Sequence, residues 1–386
     1  MKKNILNKIN LIKKKFKNKE IHLHEPTVLK DDIHSVTRAL KNKELSTYGK
    51  YTSVFENKIS KIVKNKNIVS TINGTSALHL ALKVLNVKKD TEVLVPSLTF
   101  VSSINAIIYN GAEPHFIDSD PKNLSIDIMK LDKYLNKITF KKRNITFNKK
   151  TKKKINFLLL VHLNGLSCDM DLLNKILKKH NIKLIEDAAE AFGSFYKKKH
   201  LGTFGEAGVF SFNGNKVLTT GGGGAIVFKG KQNYNMALNF ATNCKKIVNN
   251  EVNYNDVGYN YRLPSLNSSL GISQINKLNI FIRKKKNICQ FYKKLFLNHP
   301  FIELLLPEKN LKSNYWLNTI IIKKNKYFNK DYLIEHFKRK KIYTRSIWKP
   351  VHSMKPYKNF QSMNLDQAEK IYKQALTLPS SPFLWR

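Results

Sequence analysis

The chain has 386 residues, 42% of them hydrophobic, which is enough for one large domain and a smaller one. Its formal net charge is +42, from 69 Lys and Arg against 27 Asp and Glu. The three cysteines, Cys168, Cys244 and Cys289, are isolated in sequence, which excludes a zinc-type spacing or a disulfide framework and fits a reducing, cytoplasmic setting. The lysines are scattered rather than gathered into a stripe, and no nucleic-acid-binding signature is present, so the charge reads as surface composition rather than as a DNA or RNA partner. No apolar run reaches the length of a membrane helix, and the N-terminus lacks the apolar core of a secretory signal.

Residues 1–20 form a basic leader in which Ile5, Ile9, Ile12 and Phe16 fall at helical spacing among lysines. It is expected to pack loosely on the body or on a partner subunit; the alternative is a basic amphipathic helix lying on a membrane surface. Helices are expected over 31–43 and 54–63, with a loop at 45–50 between them. A short strand at 67–71 runs into a helix start at Asn73-Gly-Thr-Ser. Further strands follow at 92–95, 114–118, 157–161, 183–187, a segment ending at Phe210, and 225–228, alternating with helices from 97, 127 and 169. Residues 136–156 are basic and of low complexity, and read as an exposed β-hairpin or flap. One long helix is expected over 266–296, with Leu270, Ile275, Leu278 and Ile282 on its apolar stripe. A strand at 320–323 and a helix at 331–339 then open a second, smaller unit. The pattern is α/β: a leader over 1–20, a large domain over 21–265, and a linking helix with a small C-terminal α/β domain over 266–386.

Within this frame Lys216 differs from the many other lysines. It lies in a turn between two apolar segments, five residues after Ser211, and is followed by two threonines and the run Gly221 to Gly224. The surroundings suit a lysine holding a carbonyl cofactor as a Schiff base. Three other positions supply what such a cofactor needs. The helix start at Gly74, Thr75 and Ser76 aims free N–H groups and hydroxyls at one point, a seat for a phosphate; a plain helix cap is the alternative. Asp187 ends a strand, where ligands of α/β sheets bind, and a carboxylate there can keep a pyridine nitrogen protonated; a cap for the following turn is the alternative, or a metal ligand, which no second carboxylate/histidine cluster supports. Phe100 follows a strand end and can stack on a flat ring, or sit in the core. His162, after the strand at 157–161, can contact cofactor or substrate, or be structural. Together these are the needs of pyridoxal 5′-phosphate. The glycine run reads as room for the chain to turn back into the sheet rather than as the phosphate seat.

The ordered set Asn73-Gly-Thr-Ser-Ala-Leu-His-Leu-Ala-Leu, Val95-Pro-Ser-Leu-Thr-Phe, Gly111-Ala-Glu-Pro, Glu186-Asp-Ala-Ala, Ser211-Phe-Asn-Gly-Asn-Lys and Gly258-Tyr-Asn-Tyr-Arg resembles the DegT/StrS family of sugar aminotransferases over residues 22–386. The resemblance implies a pyridoxal-phosphate enzyme of fold type I: a large domain with a mixed, mostly parallel sheet, a smaller C-terminal domain, and a homodimer with shared active sites. It implies that Lys216 carries the cofactor, Asp187 pairs with its ring nitrogen and Phe100 stacks on the ring. Thr75, Ser76 and Ser211 would hold the phosphate, with Asn260 reaching it from the other subunit. Glu190 stands where relatives often carry Gln or His near the ring oxygen. Tyr343, Trp348 and His352 resemble the segment that closes over the sugar. The flap and the Phe-Asn-Gly-Asn-Lys wording resemble a subgroup that aminates C4 of UDP-linked 4-keto-6-deoxy sugars with glutamate as donor. The segment Leu163-Asn-Gly-Leu-Ser-Cys168 lacks the proline of the usual His-x-x-Gly-x-Pro pattern. A dehydratase of the same fold usually lacks the lysine, and an intact lysine–aspartate pair argues against a non-catalytic regulator. An anion-binding surface protein is the alternative from another class.

Overall fold

The structure, a computed structural model, describes residues 1–47 and 49–385. Tyr48, in the expected 45–50 loop, and Arg386 lie outside the described residues. Three helices open the chain: α1 (Lys2–Phe16), α2 (Lys30–Lys41) and α3 (Tyr51–Val63). Then β1 (Ile68–Thr71), α4 (Gly74–Val84), β2 (Thr91–Pro96), α5 (Val101–Tyr109), β3 (Glu113–Ile117) and α6 (Ile128–Ile138) alternate. The hairpin β4 (Thr139–Lys142) and β5 (Ile145–Asn148) precedes β6 (Lys154–Val161), α7 (Met170–Lys179) and β7 (Lys183–Asp187). After the short β8 (Phe195–Tyr196) and β9 (Lys199–His200) come β10 (Ala207–Ser211) and β11 (Gly224–Phe228).

These strands make one central sheet in the order β1-β11-β10-β7-β6-β2-β3. The pairs β10/β7, β7/β6, β6/β2 and β2/β3 are parallel, while β11 runs antiparallel to both neighbours. The strands are buried along nearly their whole length, as continuous apolar runs such as Val93-Leu-Val95 and Leu158-Leu-Leu160 require when helices cover both faces. The architecture is the α/β pattern that the alternation predicts, with the mixed, mostly parallel sheet that the resemblance implies. Because the parallel strands share one direction, the ends at Pro96, Val161, Asp187 and Ser211 lie on one edge, with the loop after β1 beside them.

The chain continues through α8 (Lys231–Ala241), an exposed hairpin of β12 (Lys245–Val248) and β13 (Glu251–Tyr254), then α9 (Ser265–Asn276) and α10 (Leu278–Phe296). The single helix expected over 266–296 is therefore two. The break falls at Lys277, whose ammonium reaches back to Asp32 Oδ1 at 2.6 Å and Ser273 Oγ at 2.7 Å. Beyond it, β14 (Ile302–Leu304), β15 (Leu311–Lys312), β16 (Asn318–Ile322), α11 (Lys330–Arg339), β17 (Arg345–Ser346), α12 (Asp366–Gln374) and β18 (Ala375–Leu378) complete the fold. A second sheet, antiparallel, has the order β14-β16-β18-β17.

One further expectation needs correction. The leader does not pack loosely. Ile5, Ile9, Ile12 and Phe16 are at most 1% exposed and share a core with Tyr292, Phe296, Leu333 and Phe337. The apolar face that a membrane surface would need is thus already occupied. The flap over 136–156 is the expected β-hairpin, exposed along β4 and its turn, but its β5 end is tied down. Asn148 Nδ2 donates to Glu92 Oε2 at 2.9 Å, Thr151 Oγ1 also donates to Glu92, and His115 Nδ1 lies 2.7 Å from the same carboxylate. A buried carboxylate needs such partners, so Glu92 ties the hairpin to β2 and β3. Among the described residues no helix is long and apolar enough to cross a membrane.

Candidate active site

The strand ends enclose a cavity of about 250 Å³. Its floor on one side is the start of α4. Asn73 caps the helix by accepting Ser76 N at 2.7 Å, which leaves the N–H groups of Gly74 and Thr75 without an intrahelical acceptor. Gly74 packs against Ser211 at the end of β10: a Cβ on Gly74 would stand 3.0 Å from Ser211 Cβ. Gly74, Thr75 and Ser211 line the cavity together. Two free N–H groups, two hydroxyls and a helix N-terminus make a seat for a phosphate. Ser76 is buried and off the lining, its N–H taken by the cap. The glycine run does what its sequence suggests. Gly224 pairs with both Thr71 and Ser211, and a Cβ there would lie 2.6 Å from Asn73 O.

Asp187 ends β7 at the opposite side. Ser103 Oγ donates to its Oδ2 at 2.6 Å, and Ala189 N donates to its Oδ1 at 3.1 Å. Burial pushes this carboxyl above the ordinary aspartate range, against the pull of those two bonds. Glu190, three residues on, accepts Asn164 N on Oε2 at 2.8 Å. Burial raises its carboxyl as well, opposed first by the charge of Lys216. Lys216 Nζ stands 3.7 Å from Glu190 Oε1 and 4.3 Å from the centre of the Trp316 ring. The turn carrying it closes through Lys216 N donating to Asn213 O at 3.0 Å, and Trp316 Nε1 clamps the same turn by donating to Asn215 O at 2.7 Å. Leu78, Val161 and Leu163 give apolar walls, and Phe100 meets Trp348 at 4.9 Å between ring centres. The Arg345 guanidinium covers the Trp348 ring at 4.3 Å.

Of the residues read from sequence, Gly74, Thr75, Phe100, Asp187, Glu190, Ser211, Lys216 and Trp348 line this cavity. Others lie elsewhere. His162 is fully buried behind the strand ends, with Nε2 2.8 Å from Glu186 Oε2. Tyr343 stacks on His22 at 4.8 Å, and His352 Nδ1 lies 2.6 Å from Ser97 Oγ. Asn260 is exposed beside the β12–β13 hairpin, bridged to Thr242, and does not reach the cavity of its own chain. Sequence reasoning missed Thr99, Ser102, Ser103 and Trp316. The serines sit two and three residues after Phe100, in the first turn of α5, where serines are ordinary; Trp316 comes 100 residues after Lys216, and neither it nor they carried a signal of their own.

The arrangement fits a cofactor with an anionic phosphate at one end, a basic ring nitrogen at the other and a carbonyl between them. Asp187 is a buried carboxylate facing the cavity without a cation bonded to it, and Lys216 is a nucleophile within reach of the middle. Comparison with known proteins points the same way. The family model of the DegT/DnrJ/EryC1/StrS aminotransferases matches residues 26–385. The chain is 34% identical to a GDP-perosamine synthase of Escherichia coli O157:H7 over 367 residues, 95% of this chain and 94% of that one. It is 32% identical to a Campylobacter jejuni UDP-4-amino-4,6-dideoxy-N-acetyl-beta-L-altrosamine transaminase over 90% of this chain and 89% of the relative. Among solved structures, Helicobacter pylori PseC, an aminotransferase involved in the biosynthesis of pseudoaminic acid, superposes with a TM-score of 0.84 and 26% identity, covering 93% of each chain. The chain belongs to the DegT/DnrJ/EryC1/StrS aminotransferase family, and its cofactor is pyridoxal 5′-phosphate.

Proposed function

We propose that this sugar aminotransferase transfers the amino group of glutamate to the 4-keto group of a nucleotide-linked 4-keto-6-deoxy sugar, a step toward surface glycans. The observation that carries the reading is the placement of Lys216, Glu190 and Asp187 around one cavity whose other end is a phosphate seat. Bound pyridoxal phosphate supplies an electron sink and carries the amino group between two half-reactions. The chain's own residues do the rest. Gly74 and Thr75 N–H with the Thr75 and Ser211 hydroxyls hold the phosphate. Asp187 holds the proton on the ring nitrogen. Lys216 Nζ would take the proton from Cα of the amino donor and hand it to the cofactor's carbonyl-derived carbon in the same half-reaction, and would run the transfer in reverse, from that carbon to C4 of the sugar, in the second. Glu190 lies beside it as a second proton-carrying group. Phe100 and Trp348 cover the ring side of the cavity and exclude water.

A homodimer completes the site in this reading, with Asn260 of a second copy at the phosphate. Its support is the exposed apolar surface around it: Ile247 is 70% exposed, Tyr254 64% and Val257 81%. Two readings of the nucleotide remain. The flap and the Phe-Asn-Gly-Asn-Lys turn favour a UDP-linked sugar. The likeness to a GDP-perosamine synthase over 95% of the chain favours a GDP-linked one. Incubating the purified protein with glutamate and a panel of UDP- and GDP-linked 4-keto-6-deoxy sugars tests both. Mass spectrometry should show 2-oxoglutarate and one 4-amino sugar nucleotide. No 2-oxoglutarate with any member of the panel would sink the reading.

A further inference from the structure

Two adjacent serines in the first turn of α5 reach opposite ends of the cavity. Ser102 Oγ lies 2.8 Å from Thr75 Oγ1 at the phosphate seat. Ser103, with no exposed surface, donates to Asp187 Oδ2 at 2.6 Å, and its Oγ lies 3.0 Å from Thr99 Oγ1. The direction of the second bond follows from proton counting. A carboxylate only accepts, and Ser103 has one hydroxyl proton, which goes to Asp187. Thr99 must then be the donor to Ser103, its one proton going to the 3.0 Å contact rather than to Phe100 O at 3.3 Å. The result is a relay, Thr99 O–H to Ser103 O–H to Asp187 Oδ2, in which each bond polarises the next. A short hydroxyl bond to a charged oxygen is the stronger kind, and it falls on one oxygen while Ala189 N holds the other. Together they fix the carboxylate plane. His162 does not do this work: its Nε2 is committed to Glu186, and its buried Nδ1 makes no hydrogen bond to Asp187 or to any other described residue.

We propose that the Thr99–Ser103 hydroxyl pair is a positioning device for Asp187, holding its carboxylate charged and in the plane where it meets the protonated ring nitrogen of the cofactor. Neither hydroxyl handles substrate in this scheme. The inference rests on the proposed role of Asp187, so its test has to separate the two.

The test is a titration of cofactor-free protein with pyridoxal phosphate and with 1-deaza-pyridoxal phosphate, which lacks the ring nitrogen, followed by visible absorbance. Ser103→Ala should weaken pyridoxal phosphate binding about ten-fold, the scale of one bond to a charged group. It should leave binding of the deaza compound unchanged, and Ser103→Thr should restore the difference. In the glutamate half-reaction the acid limb of Ser103→Ala should move to higher pH, because a carboxylate that loses a donor takes its proton sooner. Thr99→Val should shift both readouts the same way by a smaller factor, and it tests the relay if Ser103→Ala does not fold. Equal weakening for both cofactors, or no change for either, overturns the inference. Asp187→Asn is run alongside. If it binds both cofactors as the parent does, the ring-acid role of Asp187 fails. If it loses the discrimination while Ser103→Ala keeps it, the Ser103 inference alone fails.

Discussion

Lys216 Nζ faces Glu190 Oε1 at 3.7 Å across a cavity in which burial keeps the Glu190 carboxyl above its ordinary range. The pair gives two separable expectations. Lys216→Ala should remove the visible band of the Lys216-linked cofactor and lower turnover by on the order of 10³-fold, as loss of a nucleophile and base does. Glu190→Gln keeps an oxygen for Asn164 N but removes a group that titrates. Since the Glu190 pKa is raised, its negative charge beside Lys216 is present at high pH and is lost as pH falls through that raised value. The pH–rate profile of the glutamate half-reaction should therefore lose one acid step in Glu190→Gln. An unchanged profile would count against Glu190 as a titrating partner.

Glu186, next to Asp187, has the opposite electrostatics. Burial pushes its carboxyl up, but the bond and charge of His162 and the N–H groups of Gly205 and Gly202 outweigh it, and the net shift is downward. Its oxygens also accept Phe204 N at 2.6 Å. A depressed carboxyl stabilises the fold above its unfolded pKa, and that contribution is lost as pH falls through the folded value. Glu186→Gln places an NH2 group among donors, and should cost about 3–5 kcal/mol at neutral pH, as for a buried pair with one partner removed. Thermal melts from pH 7 down to pH 3 should show the variant starting lower and losing less on acidification. Parallel curves would exclude Glu186 as the source of the acid sensitivity.

The pattern of what was legible in the chain follows from interaction range. Lys216, Asp187 and the Gly74–Thr75 seat lie at the ends of short apolar strands, and local alternation marks strand ends. The sheet order does not follow from such signals, because β1 pairs with β11 across more than 150 residues of chain. Trp316 enters the cavity from the C-terminal region, and nothing near it in sequence says where it docks; Trp348 was legible only through the resemblance of its segment to the family's. Ser103 was hidden differently: a serine one turn into a helix reads as ordinary, and its weight comes entirely from Asp187 on another strand. The break at Lys277 is of the same kind, since the residue that holds it, Asp32, is far away in sequence.

The glycine run makes a sharper prediction than its composition suggests. A Cβ at Gly224 would stand 2.6 Å from Asn73 O and 2.8 Å from Gly74 N, both backbone atoms of the phosphate seat. Neither can move without moving the N–H groups proposed to hold the phosphate. Gly224→Ala should destabilise the protein by about 1–3 kcal/mol, the usual overpacking cost, and weaken cofactor binding as well. Gly222→Ala is the control, because its nearest backbone contact, Ile72 O, is an ordinary 3.6 Å away. Titrating both apo-variants with pyridoxal phosphate checks this. Equal affinities would mean that the seat tolerates displacement.

The last prediction concerns α1, which lies N-terminal to the span matched by the family model. Ile5, Ile9, Ile12 and Phe16 are buried against α10 and α11, and Phe16 meets Tyr292 edge-on at 6.1 Å. On the outside, Lys15 Nζ lies 4.2 Å from the centre of the Trp385 ring. The helix therefore acts as a strap on the second sheet, with lysines outward because its apolar stripe is used up. Ile9→Ala removes a fully buried side chain and should cost about 2–5 kcal/mol. Lys14→Ala, on the exposed side, should change stability little. A peripheral membrane anchor predicts a different pattern: binding to anionic vesicles that is weakened in both variants, with stability untouched. Chemical denaturation and vesicle sedimentation of the two variants distinguish these, and a stable Ile9→Ala protein would remove the strap interpretation.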